Sequence, residues 1–214
     1  MPFVLTSATQ AELRRCLSQP RLGTYEAACG HDFDVAMDLY VWNGRAAAAF
    51  YEAMHLLEVG FRNTVDQALS AHWSATWYKD AGIPLTPGSR TRVREAIGRA
   101  TAGGAPEIPG RVVAELNFGF WWSLLAETYN RSLWQPCLRA AFPPTVRRGR
   151  LHGSLDEMRR LRNRCAHHEP IFDRNLQADW QTLITITGFF SPTFRTWVES
   201  VSRVPAVIAA KPIP

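Results

Sequence analysis

Three features of this 214-residue chain predict an all-α fold, a single-domain helical bundle with additional helices. Apolar residues recur at three- and four-residue steps, most plainly at positions 47, 50, 54, 57, 61, 65 and 68, which is the pattern of one buried helix face. Strand-like alternation is nowhere sustained; "LITITGFF" is β-branched enough to mimic a strand, but the preceding "NLQADWQT" favours a helix. Breakers such as Gly103-Gly104 and Pro143-Pro144 punctuate the periodic segments.

The elements follow in order. Ser7 caps a first helix with Leu13, Cys16 and Leu17 facing inward, and "GTYEAACGHD" is a loop. Asp32 opens a helix ending near "WNG", where Asn43 and Gly44 are a stop signal or the cap of the next helix, and a long helix runs from Arg45 to about Ser74. After the loop "GIPLTPGS", a basic helix spans "SRTRVREAIGRAT". "GAPEIPG" links it to an aromatic helix from near Val112 to Asn130, and "SLWQPCLRAAF" is a short helix. A helix from about Thr145 to His167 precedes two more, about Leu176 to Phe189 and Pro192 to Val204, where Pro205 breaks the pattern. The linkers are too short to separate domains. Residues 1–30 read as a helix and loop packing on the bundle, 31–204 as the bundle and 205–214 as a tail.

With 46% hydrophobic and 20% charged residues the composition is globular, not disordered. The N-terminus "MPFVLTSATQAELRR" lacks a basic start followed by an apolar core, so no signal peptide is expected. The longest strongly apolar run, "LNFGFWWSLLA", is too short to cross a bilayer; the expected location is the cytoplasm, with no membrane partner. Cysteines 16, 29, 137 and 165 form no Cys-x-x-Cys pair and read as free buried thiols. Gly-x-Gly-x-x-Gly, Walker, Gly-x-Ser-x-Gly and His-Glu-x-x-His motifs are all absent, which weighs against nucleotide-cofactor, serine-hydrolase and zinc-protease chemistry. The formal charge is +5, and every basic residue but Lys79 and Lys211 is arginine. Arginine forks onto phosphate and stacks on bases, which suits a nucleic-acid partner; a GC-rich coding sequence is an equally good source of the bias.

The informative stretch is "LRNRCAHHEPIF", from Leu161 to Phe172. On a helical wheel Leu151, Leu155, Met158, Leu161 and Cys165 form one stripe, and Arg162 projects from its middle, about 20° from Leu151. A guanidinium there must be paired or must line a cleft, because an unpaired buried charge is very costly. Pro170 disfavours helix at Glu169, so His167 and His168 are expected at a frayed C-terminus, with Asn163 one turn before His167 and able to orient it. On the long helix His55, Glu58 and Arg62 recur along one flank. Glu58 can hold Arg162 in a fixed pose, or can pair with Arg62 instead. An arginine and a histidine with no metal site suit RNA cleavage by its own 2′-hydroxyl. Histidine moves protons near neutral pH, and arginine meets the charge that gathers on the phosphate.

Arg162-Asn163-Arg164-Cys165-Ala166-His167 resembles the motif of the HEPN superfamily, an arginine, a polar residue and a histidine after four to six intervening residues. The whole of "LRNRCAHHEPIF" looks like its Abi-like, abortive-infection branch. So do "LYVWNGRAAAAFYEAMHLLEVGFRNTVDQAL" from Leu39 and "NFGFWWSLL" from Asn117. These stretches, in this order, extend over most of residues 32–190. The resemblance implies a compact helical bundle and a metal-independent ribonuclease leaving a 2′,3′-cyclic phosphate. It also implies a homodimer whose two motifs share one composite cleft, and a role in phage defence. Carried over by residue, Arg162 and His167 are catalytic and Asn163 supports them. His168 is a second proton carrier. Glu58 and Arg62 match the branch's Glu-x3-Arg-Asn, in an unassigned role. Glu169 is a further supporting residue, and Arg159 and Arg164 are candidate RNA contacts. No cofactor or metal is expected. RNA is the expected partner, and an antitoxin is left open.

Blander readings stand beside these. Arg162 and His167 can be an ion pair and a capping histidine, His168 and Glu169 a loop imidazole and a carboxylate paired to an arginine. The run Phe118 to Trp122 reads as core, and Arg90, Arg92, Arg94 and Arg99 as a solvated face or an RNA-backbone track. The rival function is a non-catalytic helical module that binds RNA, a nucleotide or a protein.

Overall fold

A computed structural model describes residues 6–212, so the first five residues of the N-terminal stretch and the last two of the tail lie outside the description. Within it ten α-helices are joined by 3-10 and π turns, and no strand occurs among the described residues. No helix among the described residues is long and apolar enough to cross a membrane.

Helix α1 (Ser7–Leu17) is capped not by Ser7 but by Thr6, whose hydroxyl accepts the Thr9 N–H at 3.3 Å. It rides on the surface, with Leu13 and Leu17 half-buried and Cys16 exposed, so the expected inward thiol at position 16 is corrected. Most of the expected loop at 23–32 is helical. It belongs to α2 (Gln19–Ala28), which buries Leu22, Tyr25 and Glu26 at helical spacing. Gly30 and His31 then turn the chain with positive φ, and the His31 N–H closes back on the Glu26 carbonyl at 2.7 Å.

The expected division at Asn43-Gly44 does not occur. Helix α3 (Phe33–His72) runs unbroken for 40 residues, about 60 Å at 1.5 Å per residue. Asp32 caps its start, accepting from Asp34 and Val35 N–H. Asn43 caps nothing in its own helix. It is buried in the stripe, and its Oδ1 accepts the Ile171 and Phe172 N–H groups at 2.7 and 3.1 Å. α3 is the spine of the molecule, and α2, α6, α7, α8 and α10 all pack on it. At Gly60 a Cβ would meet Phe194 Cε1 at 2.9 Å and Phe190 Cδ2 at 3.0 Å, so glycine is what lets these rings lie against α3.

Helix α4 (Pro87–Ala100) carries the basic run, capped by Thr86. Its arginines are mostly committed locally, Arg90 to the Ala81 and Ile83 carbonyls and Arg99 to Glu115. The single aromatic helix expected over 112–130 is instead α5 (Pro109–Glu115) and α6 (Phe118–Ser123). Asn117 breaks it, its side chain accepting the Phe120 N–H at 2.9 Å to cap a new helix. Phe120 and Trp121 are fully buried core residues. The short helix expected at 132–142 is a π turn and a 3-10 turn, Asn130–Trp134 and Leu138–Ala141.

Helix α7 (Arg148–Ala166) starts three residues later than expected, and its buried residues are Leu151, Leu155, Met158, Leu161 and Cys165, the stripe read from the wheel. α8 (Leu176–Phe190) and α9 (Pro192–Val201) follow. Pro205 does not end the fold. It stands in the first turn of α10 (Val204–Ala209), where a missing N–H costs nothing. The tail therefore packs back on α3 and α8, and Trp42 Nε1 donates to the Val207 carbonyl at 2.8 Å.

Candidate functional site

Arg162 leaves α7 from between buried neighbours, yet its side chain is 38% exposed because it turns into a cleft between α7 and α3. Its Nε lies 3.3 Å from Glu58 Oε1, and its Cζ stands 5.7 Å from the centre of the Tyr51 ring. Of the two pairings open to Glu58, this is the one formed; Arg62 Nε donates to Asn63 Oδ1 instead. Burial pushes the Glu58 carboxyl above its ordinary range, and the Arg162 charge pulls the other way. Two adjoining hollows of ≈ 230 Å³ each meet at Arg162, Asn117 and Phe118. One includes Arg159 and Asn163, the other His55, Glu58 and Arg62. Three arginines and one carboxylate thus border an open, anion-attracting cleft.

Arg159 is held at the rim by Asp156, at 2.9 Å from Nε, and lies over Trp122 with its Cζ 4.9 Å from the ring centre. Trp122 in turn stacks on His152, their centroids 4.6 Å apart and their planes 9° from parallel. His152 is drawn below its ordinary range by burial and then by Arg148.

The two motif histidines close the helix rather than fray from it. His167 is the C-cap, its N–H donating to the Asn163 carbonyl at 2.9 Å. His168 follows in the left-handed region at φ 57°; its N–H reaches the Cys165 carbonyl at 3.2 Å, and the Glu169 N–H reaches Arg164 at 2.9 Å. That pair of bonds is a Schellman closure, usually built with glycine where His168 stands. It settles the last carbonyls that fraying would have left to water. What ties Asn163 to His167 is therefore a backbone bond. Both imidazoles are exposed.

The helix end sorts the remaining candidates. Arg164 turns away from Arg162, 3.7 Å from Glu169 and 3.6 Å from Asp173, so it is not brought into the cleft. His168 lines a larger hollow of ≈ 660 Å³ with Arg21, Tyr25, Tyr40, Asn43 and Tyr51. Sequence reasoning assigned none of these five to a site. The signal available for Asn43 was its place at helical spacing between Leu39 and Ala46, where a polar residue needs a reason. Asn117 went unassigned for a similar reason, since a helix break was not expected there. His55 had been placed on the flank of Glu58 without a role, and it lines the Arg162 cleft.

Burial pushes the Cys165 thiol up to about 11, so it is a packed residue and not a thiolate nucleophile. No family model, curated protein or solved structure matches this chain.

Proposed function

We propose that this chain is a HEPN-like, metal-independent endoribonuclease of the abortive-infection type, acting on RNA in phage defence as a homodimer. The observation that carries the reading is the half-exposed Arg162, posed by Glu58 in a cleft bordered by Arg62 and Arg159, on the helix that His167 caps.

The chemistry needs little else. A base takes the proton of a 2′-hydroxyl, and the freed oxygen attacks the adjacent phosphorus. The bond to the 5′-oxygen breaks, and an acid returns a proton to that oxygen. The products are a 2′,3′-cyclic phosphate and a 5′-hydroxyl. Arg162 offers donors to the phosphoryl oxygens as charge accumulates. His167 is the proton carrier, exposed enough to reach a cleft on a second copy; His168 serves as a second carrier. Asn163 adds a polar group beside the phosphate. A dimer supplies the pairing that one helix end does not make by itself.

A second reading, a non-catalytic module holding RNA, a nucleotide or a protein, is favoured by one fact. His167 joins Asn163 through the backbone, while Arg162 is paired to Glu58. The test incubates purified protein with total RNA in EDTA and compares it with His167→Ala and Arg162→Ala. Cleavage that survives EDTA and disappears in both variants is expected. RNA retention without cleavage gives the module instead. A monomerising surface charge is expected to abolish activity in a folded chain, and full activity of that monomer would remove the composite site. His55→Ala separates the sources of the imidazole: cleavage within about threefold of wild type is expected if His167 is the carrier.

A further inference from the structure

The surplus of positive charge is not spread along the chain. Residues 128–155 hold five arginines, Arg131, Arg139, Arg147, Arg148 and Arg150, and no aspartate or glutamate. Of the 24 basic residues, nineteen remain elsewhere, against all nineteen acidic ones, so the whole net charge of +5 comes from this one stretch. A GC-rich coding sequence accounts for arginine in place of lysine, but not for an acid-free run of 28 residues.

The fold leaves most of this charge uncommitted. Among the described residues Arg148 makes the only ion pair of the five, to Glu127, and it also donates to the Leu125 carbonyl at 2.5 Å. Arg131, Arg139, Arg147 and Arg150 are exposed. Arg147 and Arg150 border a groove of ≈ 380 Å³ between α7 and α8. With Ser154 they step by three and four residues along one flank of α7, and Gln181, Thr182 and Thr185 line the facing wall of α8. No carboxylate lines this groove, and α8 carries no charge from Trp180 to Phe190. Glu157, the next acid along that flank of α7, is engaged by Arg160 and Arg174. Arg162 lies twelve residues beyond Arg150, about 18 Å along the helix axis, on the side of α7 that meets Glu58 of α3 and Phe118 of α6. The groove is therefore separate from the Arg162 cleft.

Like charges on a concave surface, with nothing opposite to neutralise them, fit a chain of phosphates. Each guanidinium can take two phosphate oxygens at once, and a neutral wall of hydroxyls and an amide is of the kind that meets a sugar–phosphate backbone. A lipid surface offers the same charge, but it is flat and takes up apolar side chains set among the basic ones. The large hydrophobic residues exposed among the described residues, Val41, Tyr51, Ile108, Trp197 and Val201, all lie outside residues 128–155 and outside α8.

We propose that the groove between α7 and α8 holds the phosphate backbone of an RNA strand through Arg147 and Arg150, irrespective of its bases and outside the cleavage cleft; this rests on the ribonuclease reading for the choice of RNA.

The probe is a mixed-sequence 2′-O-methyl RNA of about twenty nucleotides, which has no free 2′-hydroxyl and so is not cut. Its binding to the full chain is followed by fluorescence anisotropy over a range of salt. In Arg147→Gln/Arg150→Gln the slope of log affinity against log salt is expected to flatten by about 1.4, two phosphate contacts on a single strand, and affinity near 0.1 M salt to fall at least about tenfold. Both side chains are exposed, so the melting temperature is expected to stay unchanged. Arg147→Lys/Arg150→Lys keeps both charges and is expected to keep the wild-type slope. Arg45→Gln/Arg92→Gln removes the same charge from exposed positions on α3 and α4 and is expected to bind as wild type does. No binding by the wild type, a slope unchanged in Arg147→Gln/Arg150→Gln, or an equal fall in Arg45→Gln/Arg92→Gln overturns the proposal. So does binding to phosphatidylserine–phosphatidylcholine vesicles that Arg147→Gln/Arg150→Gln abolishes, which would make the groove a membrane contact. Cleavage is read separately on unmodified RNA. Groove-dependent binding by a protein that cuts no RNA keeps the groove and removes the nuclease, whereas cleavage by a protein whose binding ignores the groove does the reverse.

Discussion

Arg162 and Arg174 lie on either side of the same turn and are used in opposite ways. Arg174 grips Asp179 with two hydrogen bonds, at 2.9 Å from Nε and 2.8 Å from Nη2, and its side chain is 20% exposed. Arg162 has one contact to Glu58 at 3.3 Å and is 38% exposed. The first is a staple that fixes the start of α8 after the turn. Its fork is filled, and no anion can compete for it at modest cost. The second is posed but not consumed, with most of its donors facing an open cleft. The difference teaches that an arginine's availability, more than its presence in a motif, separates an open cation from a structural clasp.

The largest effect should come from breaking the open member. Arg162→Ala is expected to lower RNA cleavage by at least about 100-fold, the scale of losing a transition-state donor, with the melting temperature nearly unchanged. The clasp should give the mirror image. Asp179→Ala is expected to destabilise the fold by about 2 kcal/mol in chemical denaturation, less than a fully buried pair because Arg174 is partly wet. Cleavage per folded molecule should stay near wild type. A large loss of activity in folded Asp179→Ala would erase the distinction.

Glu58→Gln sharpens it further. The amide keeps the shape but loosens the pose, and cleavage is expected to fall about tenfold. The same variant reports on pH. Because the folded Glu58 carboxyl sits above 4.5, the folded state holds that proton more tightly than the unfolded chain does. This stabilisation is complete below the unfolded value and is lost as pH rises through the folded one. In Glu58→Gln that segment of the stability–pH curve should flatten. The smallest effect is expected at Arg164, half-buried against Glu169 and Asp173: Arg164→Ala should shift cleavage by no more than about twofold and stability by under about 1 kcal/mol.

How much of this was legible depended on whether the signal was local. The stripe of α7 and the projection of Arg162 from it follow from helical spacing, whereas spacing left Glu58 open to Arg162 or Arg62, and only the packing of α7 on α3 decides between them. Asn43-Gly44 misled because an Asn-Gly step has the same letters whether the amide caps its own helix or reaches a loop 128 residues away. Pro205 misled because proline ends one helix and begins another equally well, and only the docking of α10 on Trp42 decides between them. The residues 23–32 carry glycines at both ends, yet Leu22 and Tyr25 are buried by α3, and tertiary contact overrode the turn chemistry. Within the site, the Arg162 cleft was partly readable and the aromatic hollow was not, since its walls come from α2, α3 and α7 and share no linear pattern.

The positive φ of His168 has a consequence for any effort to toughen this protein. A side chain in the left-handed region costs the fold on the order of 1 kcal/mol that glycine would save. Selection for heat resistance alone should therefore drift toward glycine at this corner and discard an imidazole in the process. Selection that also demands the proposed cleavage should keep the histidine and leave the corner under tension.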